Sequence, residues 1–218
     1  MGLWRVFFVV LSMGESIDLY LASKSPRRRE LLQQIGVRFT VVSSPADETC
    51  RAAEAPEDYV RRVALDKAGS AIEMRLADPS RPVLAADTAV VLEDRIMGKP
   101  ATRHEALQML SLLSGRTHRV LSAVALIAAD GVESTALSES LVRFRIISRQ
   151  DAVAYWDTGE PADKAGAYGI QGLGALFVAD LQGSYSGVVG LPLFETARLL
   201  EHAGIAVLNN AAARFGAG

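Results

Sequence analysis

A mostly apolar run that turns directly into a helix, between residues 17 and 36, is the feature that most constrains the fold of this chain. Residues 17–22 have the length and character of a buried strand. Ser25 can cap a helix, and Pro26 suits the first helical position, where a backbone N–H is not needed. Apolar residues then recur at helical spacing, at Leu31, Leu32 and Ile35. The sequence therefore predicts a strand, a tight turn and a helix that ends near Gly36.

Arginines fill the first turn of this predicted helix, where the helix dipole disfavours positive charge. The hydroxyl groups of Ser23 and Ser25 precede them, and Arg27 and Arg28 lie closest to the cap. Free backbone N–H groups, hydroxyls and guanidinium groups together suit a polyanion, most simply a phosphate chain. A solvated arginine face is the alternative that the sequence leaves open.

A second helix is predicted from Pro56, with an apolar stripe along one side. The stripe consists of Val60, Val63, Ala64, Ala68 and Ala71. Lys67 lies on the same stripe, four residues after Val63. Its ammonium group must therefore either extend past the apolar surface to solvent or point into a site.

A carboxylate interrupts the apolar run at residues 81–92, which is predicted to be a buried strand. Asp87 lies in the middle of this run, and Thr88 follows it. A buried carboxylate is unfavourable unless it is paired or binds a metal ion, so Asp87 is a candidate site residue. A structural aspartate that accepts backbone N–H groups is the alternative.

Three further candidates lie in predicted loops. Glu48 belongs to a polar, acidic loop, and Lys99 lies in the tight Gly-Lys-Pro turn at 98–100. The glycine-rich segment 159–190 contains neither a dinucleotide-binding nor a P-loop pattern. Its glycines favour close approach of the backbone to a ligand, and Gln171 offers both a donor and an acceptor to a base edge. A glycine-rich surface loop remains the alternative.

Composition narrows the function classes. The net charge of −2 argues against a general nucleic-acid-binding protein, and a local basic cluster suits a small anionic ligand better. The single cysteine, Cys50, cannot form an internal disulfide, and no zinc-binding spacing is present. A reducing compartment, the cytoplasm, is therefore expected.

The first twelve residues are apolar apart from one arginine and are too short to span a bilayer. They also lack the cleavage pattern of a signal peptide. We interpret residues 1–12 as an extension and expect one domain over residues 13–210, with no membrane partner.

Clustered arginines, two lysines and two acidic positions suit a triphosphate together with Mg²⁺ or Mn²⁺, and so predict phosphoanhydride hydrolysis. In this context the chain resembles the Maf family of nucleoside triphosphate pyrophosphatases, once called septum formation inhibitors. The resemblance covers about residues 18–206. It rests on L-A-S-x-S-P-R-R at 21–28, D-E at 47–48, D-K-A at 66–68, A-A-D-T at 85–88, G-K-P at 98–100, A-Y-x-I-Q-G at 167–172 and S-Y-S-x-V-x-G-L-P at 184–192.

The resemblance implies a single-domain α/β fold, with a mixed, curved sheet flanked by helices and two lobes around a central cleft. It implies hydrolysis of a nucleoside triphosphate to the monophosphate and pyrophosphate. A divalent metal cofactor, Mg²⁺ or Mn²⁺, and a homodimer are also implied.

Residue roles follow from the matching positions. Asp87 corresponds to the proposed catalytic base and Glu48 to a second acidic position, and both are candidate metal ligands. The family's phosphate-facing lysines correspond to Lys67 and Lys99, both candidate catalytic residues. The phosphate loop corresponds to Ser23, Ser25 and Arg28.

Three positions separate the subfamilies. Arg27, Thr88 and Gln171 match the group that acts on dTTP and UTP. The group that acts on 7-methyl-GTP usually carries an aromatic residue, glutamine and glutamate at these positions. The resemblance thus favours a dTTP/UTP pyrophosphatase that removes unwanted nucleotides. The alternatives are a pyrophosphatase for 7-methyl-GTP or other modified nucleotides, and a nucleotide-binding regulator of cell division.

Overall fold

The computed structural model describes residues 17–43, 45–74 and 76–215. Seven strands lie in this part of the chain: β1 Leu19–Ala22, β2 Phe39–Val42, β3 Val83–Leu92, β4 Arg95–Met97, β5 Thr117–Ile127, β6 Glu133–Phe144 and β7 Val178–Gln182. The α-helices of the same part are α1 Pro26–Gln34, α2 Pro56–Glu73, α3 Arg103–Leu113, α4 Arg149–Asp157, α5 Tyr185–Val189, α6 Leu193–His202 and α7 Val207–Phe215. Short 3₁₀ helices occupy Glu160–Asp163, Ala165–Ala167 and Leu173–Phe177.

All seven strands form one mixed sheet. Its order is β2-β1-β3-β5-β6-β7, with β4 paired to β3 alongside this path. β1 runs parallel to β2 and β3, whereas the remaining pairs are antiparallel. The predicted α/β fold with a mixed sheet flanked by helices is confirmed.

Helix α2 packs on one face of the sheet. The whole predicted stripe is buried, and Ala64 packs with Ala89 and Leu121 from the strands beneath it. Because small side chains occupy both surfaces, the helix can lie close to the strands. This close packing brings Lys67 onto the sheet next to Asp87.

Two apolar clusters cover the opposite face of the sheet. One joins α1 and α6 to Leu84 and Ala86, and the other joins α3 and α4 to Val90 and Leu92. Side chains alternate along a strand, so Thr88 lies on this face between the two clusters. The gap between the clusters leaves room beside Thr88 for one part of the site described below.

The strand and helix predicted at residues 17–36 form as β1 and α1, and α1 ends at Gln34, just before Gly36. The helix predicted from Pro56 and the buried strand predicted at 81–92 form as α2 and β3. β7, α5, α7 and the 3₁₀ helices were not predicted. Residues 1–12 and the start of the predicted domain lie outside the described residues. In the part of the chain that the structure describes, no helix is both long enough and apolar enough to cross a membrane.

Candidate active site

The site lies where one edge of β3 is left uncovered. β1 pairs with β3 only at Val83 and Leu84, and β4 pairs with it only from Val90 onward. Among the described residues, no strand covers this edge between those two pairings. A cavity of about 700 Å³ opens there, at the carboxyl end of β1. Small-molecule sites of α/β sheets commonly lie beyond the carboxyl ends of strands, so this is the expected place for a ligand.

The structure brings every predicted site residue to this one cavity. The lining includes Ser23, Ser25, Arg27, Arg28, Glu48, Lys67, Asp87, Thr88, Lys99 and Gln171. These residues come from six separate segments of the chain, and the fold gathers them. Their individual roles remain predictions.

Lys67 joins the two candidate acidic residues. Its Nζ lies 2.8 Å from Oδ1 of Asp87 and 2.7 Å from Oε1 of Glu48. The Lys67 and Asp87 side chains are both mostly buried, whereas Glu48 is half-exposed. The ammonium group therefore points into the site and does not extend to solvent along the stripe. It also offsets the cost of burying Asp87 in an apolar strand.

The charge of Glu48 is favoured by its surroundings. Partial burial acts to raise the pKa of its carboxyl, but the hydrogen bond and charge of Lys67 and the charge of Lys99 lower it overall. Glu48 is also held through its backbone, because the Tyr59 hydroxyl donates to the Glu48 carbonyl at 2.9 Å. Burial and the nearby charges of Asp87 and Glu48 raise the pKa of Tyr59 to about 12, so it stays a neutral donor.

The start of α1 forms a second wall of the cavity. Ser25 caps the helix, its hydroxyl accepting from the Arg28 N–H at 3.5 Å, and the Ser23 hydroxyl accepts from the Ser25 N–H at 3.2 Å. Arg27 reaches across the cavity, with Nη1 3.5 Å from Oδ2 of Asp163. Arg27 and Arg28 therefore belong to the lining of the cavity, and the first turn of α1 is not a uniformly solvated arginine face.

Arg28 is anchored deep in the site. Its Nε donates to the Gly190 carbonyl at 2.7 Å and its Nη2 donates to the Thr88 hydroxyl at 3.2 Å. Burial lowers the pKa of Arg28, while the charges of Asp87 and Glu48 oppose this effect. The guanidinium group thus fixes the floor of the cavity.

Thr88 continues this chain of hydrogen bonds. Its hydroxyl lies 2.8 Å from that of Ser122, which donates to the Gly187 carbonyl at 2.6 Å. Since the Ser122 hydroxyl donates its proton to the Gly187 carbonyl, the Thr88 hydroxyl donates to Ser122 and accepts from Arg28. The direction of each hydrogen bond is fixed, and a larger residue at Thr88 would disrupt the chain.

Lys99 and Gln171 complete the lining from two loops. Both are exposed, and no described residue hydrogen-bonds to the Gln171 amide. Lys99 follows Gly98, whose carbonyl accepts from the Gly166 N–H at 3.0 Å. The two loops that carry these residues are therefore joined at the cavity wall.

Several lining residues were not found by sequence reasoning. Tyr59, Tyr168, Asp163 and Lys164 all line the cavity. Tyr59 occupies the stripe side of α2, one residue from Val60, where an aromatic side chain is ordinary core. His118, behind this lining, is buried, and its Nε2 lies 2.9 Å from the Tyr168 hydroxyl. Nothing in the local sequence distinguishes the two tyrosines and His118 from core residues, or Asp163 and Lys164 from solvated loop charges.

Comparison with known proteins is consistent with this geometry. Residues 18–203 match the family described as Maf-like protein. This chain belongs to the Maf family. A Maf relative from Methylococcus capsulatus named dTTP/UTP pyrophosphatase is 57% identical over 192 residues, covering 88% of this chain and 94% of its own. Relatives of the same name from Saccharophagus degradans and Ralstonia nicotianae are 52% and 53% identical, covering 90% and 86% of this chain and 94% of their own lengths.

Proposed function

We propose that this protein is a nucleoside triphosphate pyrophosphatase that hydrolyses dTTP and UTP to the nucleoside monophosphate and pyrophosphate. The observation that carries the proposal is the convergence of Asp87, Glu48 and Lys67 with the α1 phosphate loop at one cavity. The Maf relatives that are more than half identical to this chain bear the name of this activity.

The triphosphate is proposed to lie along the side of the cavity that the start of α1 and Lys99 form. Arg27 supplies positive charge from the first turn of α1, and Lys99 supplies it from its loop. The same turn of α1 supplies backbone N–H groups and the favourable end of the helix dipole. A cavity of about 700 Å³ is large enough for a nucleotide. Binding of the phosphates explains why arginines occupy a helix turn that otherwise disfavours them.

Asp87 is proposed to act as the general base. As a water oxygen attacks the α-phosphorus, Asp87 takes the water proton, and the bond from that phosphorus to the bridging oxygen breaks. The products are the monophosphate and pyrophosphate, which leaves with the bridging oxygen. Lys67, at 2.8 Å from Asp87 Oδ1, holds the carboxylate in place during this step.

A divalent cation, Mg²⁺ or Mn²⁺, is the proposed cofactor. Within the described ranges, no group of three or more histidine, cysteine or acidic side chains could enclose a metal ion. Mg²⁺ is commonly held by one or two carboxylates together with substrate phosphates, which the pair Glu48 and Asp87 fits. When bound, the cation would neutralise charge on the phosphate oxygens.

Gln171 is proposed to recognise the base. Its amide both donates and accepts, which matches the N3–H and the adjacent carbonyl shared by uracil and thymine. Because the amide has no hydrogen bond to a described residue, it is available to the base. A base with a mismatched edge would cover the Gln171 amide and leave its donor or acceptor unpaired, which lowers the affinity of that ligand.

A cytoplasmic location is the remaining part of this proposal. Cys50 cannot form an internal disulfide, as expected for a protein of a reducing compartment. Nucleoside triphosphates are formed in that compartment, so the substrate would be present there. Fractionation of the native cells, followed by immunoblotting, tests the location.

A pyrophosphate-release assay tests the activity. Purified full-length protein is incubated with dTTP, UTP, CTP or 7-methyl-GTP, with Mg²⁺, with Mn²⁺ and with a chelator. We expect rapid release from dTTP and UTP only, and only with a metal ion. A preference for 7-methyl-GTP would support the modified-nucleotide alternative. Nucleotide binding without release would support a regulatory protein.

A further inference from the structure

Glu160, at the start of the 3₁₀ helix Glu160–Asp163, accepts three hydrogen bonds with its carboxylate. Oε1 accepts from the Tyr155 hydroxyl at 2.8 Å and from the Gly174 N–H at 3.2 Å. Oε2 accepts from the Leu173 N–H at 2.8 Å. Two of the three donors are consecutive backbone amides of the loop that carries Gln171.

The loop wraps closely around this carboxylate. A Cβ added at Gly172 would collide with the Glu160 carboxylate itself. A Cβ added at Gly174 would lie 2.7 Å from the Tyr155 hydroxyl, closer than real contacts of this kind. Glycine is therefore needed at 174 for close approach of the backbone, and a side chain at 172 would displace the Glu160 carboxylate from its donors.

Tyr155 extends the same contact to the other end of the loop. Its hydroxyl donates to Glu160 and accepts from the Gly169 N–H at 3.0 Å. Glu160 and Tyr155 together thus hold the backbone on both sides of Gln171. Because no described residue hydrogen-bonds to the Gln171 amide, the held backbone is what sets where the side chain starts and which region the amide can reach.

The protonation state of Glu160 matches this arrangement. Partial burial acts to raise the pKa of its carboxyl, but the hydrogen bonds from Tyr155, Leu173 and Gly174 lower it overall. The group is therefore ionised at neutral pH, and an ionised carboxylate offers acceptors only. All three donors that face the Glu160 carboxylate therefore find an acceptor, and no proton on the carboxylate blocks any of them.

We propose that Glu160 is a positioning residue for base selection, which fixes the backbone of residues 169–174 and so places the Gln171 amide against the base. The proposal rests on the function proposed above, because it gives Gln171 a nucleobase to recognise. Glu160 itself touches neither the substrate nor the reacting atoms in this account.

Glu160→Gln is the direct test. Glutamine has the same shape, but its NH₂ group replaces one oxygen and would face a backbone N–H, so one of the loop contacts must break. Tyr155→Phe, which removes the hydroxyl hydrogen bonds to both Glu160 and Gly169 and leaves the Glu160 carboxylate in place, is the second variant. Asp157→Asn is the matched control, because Asp157 is an exposed carboxylate at the end of the same helix as Tyr155.

Hydrogen exchange reports on the loop without any nucleotide. In Glu160→Gln and Tyr155→Phe, amides of residues 169–174 should exchange about tenfold faster than in the wild type, whereas exchange in α2 should not change. Asp157→Asn should exchange like the wild type throughout. Wild-type exchange of residues 169–174 in Glu160→Gln would overturn the positioning role.

Kinetics report on selection. Glu160→Gln should lower kcat/KM for dTTP and UTP by about 10- to 100-fold, mainly through KM, because the amide is misplaced. Affinity for inorganic tripolyphosphate, which has no base, should remain within about twofold. Loss of dTTP and tripolyphosphate binding together would indicate general damage to the site and contradict the proposal. If the wild type hydrolyses no nucleotide, the proposed function has failed. If it is active and Glu160→Gln has the wild-type kcat/KM for dTTP and UTP, the positioning role has failed.

Discussion

His118 should make the stability of this protein depend on pH in the acidic range. The imidazole lies in the core beside Phe144 and Tyr168, with ring centroids at 4.8 Å and 5.4 Å. Its Nε2 contacts the Tyr168 hydroxyl, and its Nδ1 has no hydrogen-bond partner among the described residues. A second proton on this ring would have no acceptor, so the neutral form is favoured.

The size of the effect follows from the pKa difference. Burial lowers the pKa of His118 from 6.5 to about 4. The folded state therefore resists a proton that the unfolded chain accepts, and stability is lost as the pH falls from about 6.5 towards 4. The full difference corresponds to about 3 kcal/mol, of which about 2 kcal/mol is lost between pH 8 and pH 5. Above pH 7 the contribution is constant.

Urea unfolding at a series of pH values measures this effect. Between pH 8 and pH 5 the free energy of unfolding of the wild type should fall by about 2 kcal/mol more than that of His118→Gln, which cannot titrate. His104→Gln, at an exposed histidine of α3, is the matched control and should follow the wild type. Equal pH dependence of wild type and His118→Gln would refute the reasoning.

Three further predictions concern the site and the chain start. Arg27→Ala should weaken dTTP binding by about tenfold in calorimetry, because a charged donor is lost, whereas Arg29→Ala, at the exposed neighbour, should not. Equal dTTP affinities of the two variants would indicate that the arginines form only a solvated face. Gln171→Glu should lower kcat/KM for dTTP and UTP far more than for 7-methyl-GTP, since an ionised carboxylate only accepts; an unchanged ranking would exclude base recognition by this residue. Deletion of residues 1–12 should leave pyrophosphate release intact, and a folded but inactive truncated protein would contradict this.

The sequence singles out four of the residues that line the cavity because each breaks a local rule, while their roles remain predictions. Arginines at a helix start, a lysine on an apolar stripe and an aspartate in a core strand are all unfavourable for stability alone. Such conflicts can be recognised from the sequence alone. The pairing of Lys67 with Asp87 could not be predicted, because this contact depends on how α2 packs across β3.

Other features depend on tertiary contacts without a local signal. β7 is a five-residue strand that follows a glycine-rich loop, and its pairing with β6 decides its structure. Glu160 precedes a proline in an ordinary polar turn, and its three donors lie at residues 155, 173 and 174. Two of those donors are backbone amides, which no side-chain pattern can reveal.

The central claim is that Asp87 takes the proton of the attacking water. Asp87→Asn keeps the size of the side chain and can still accept from Lys67, but its amide is not a base at neutral pH. We expect pyrophosphate release from dTTP to fall at least about 100-fold while the protein stays folded, as judged by its melting temperature. Asp94→Asn, in the exposed turn before β4, should retain full activity. A folded Asp87→Asn protein with near wild-type turnover would contradict the account.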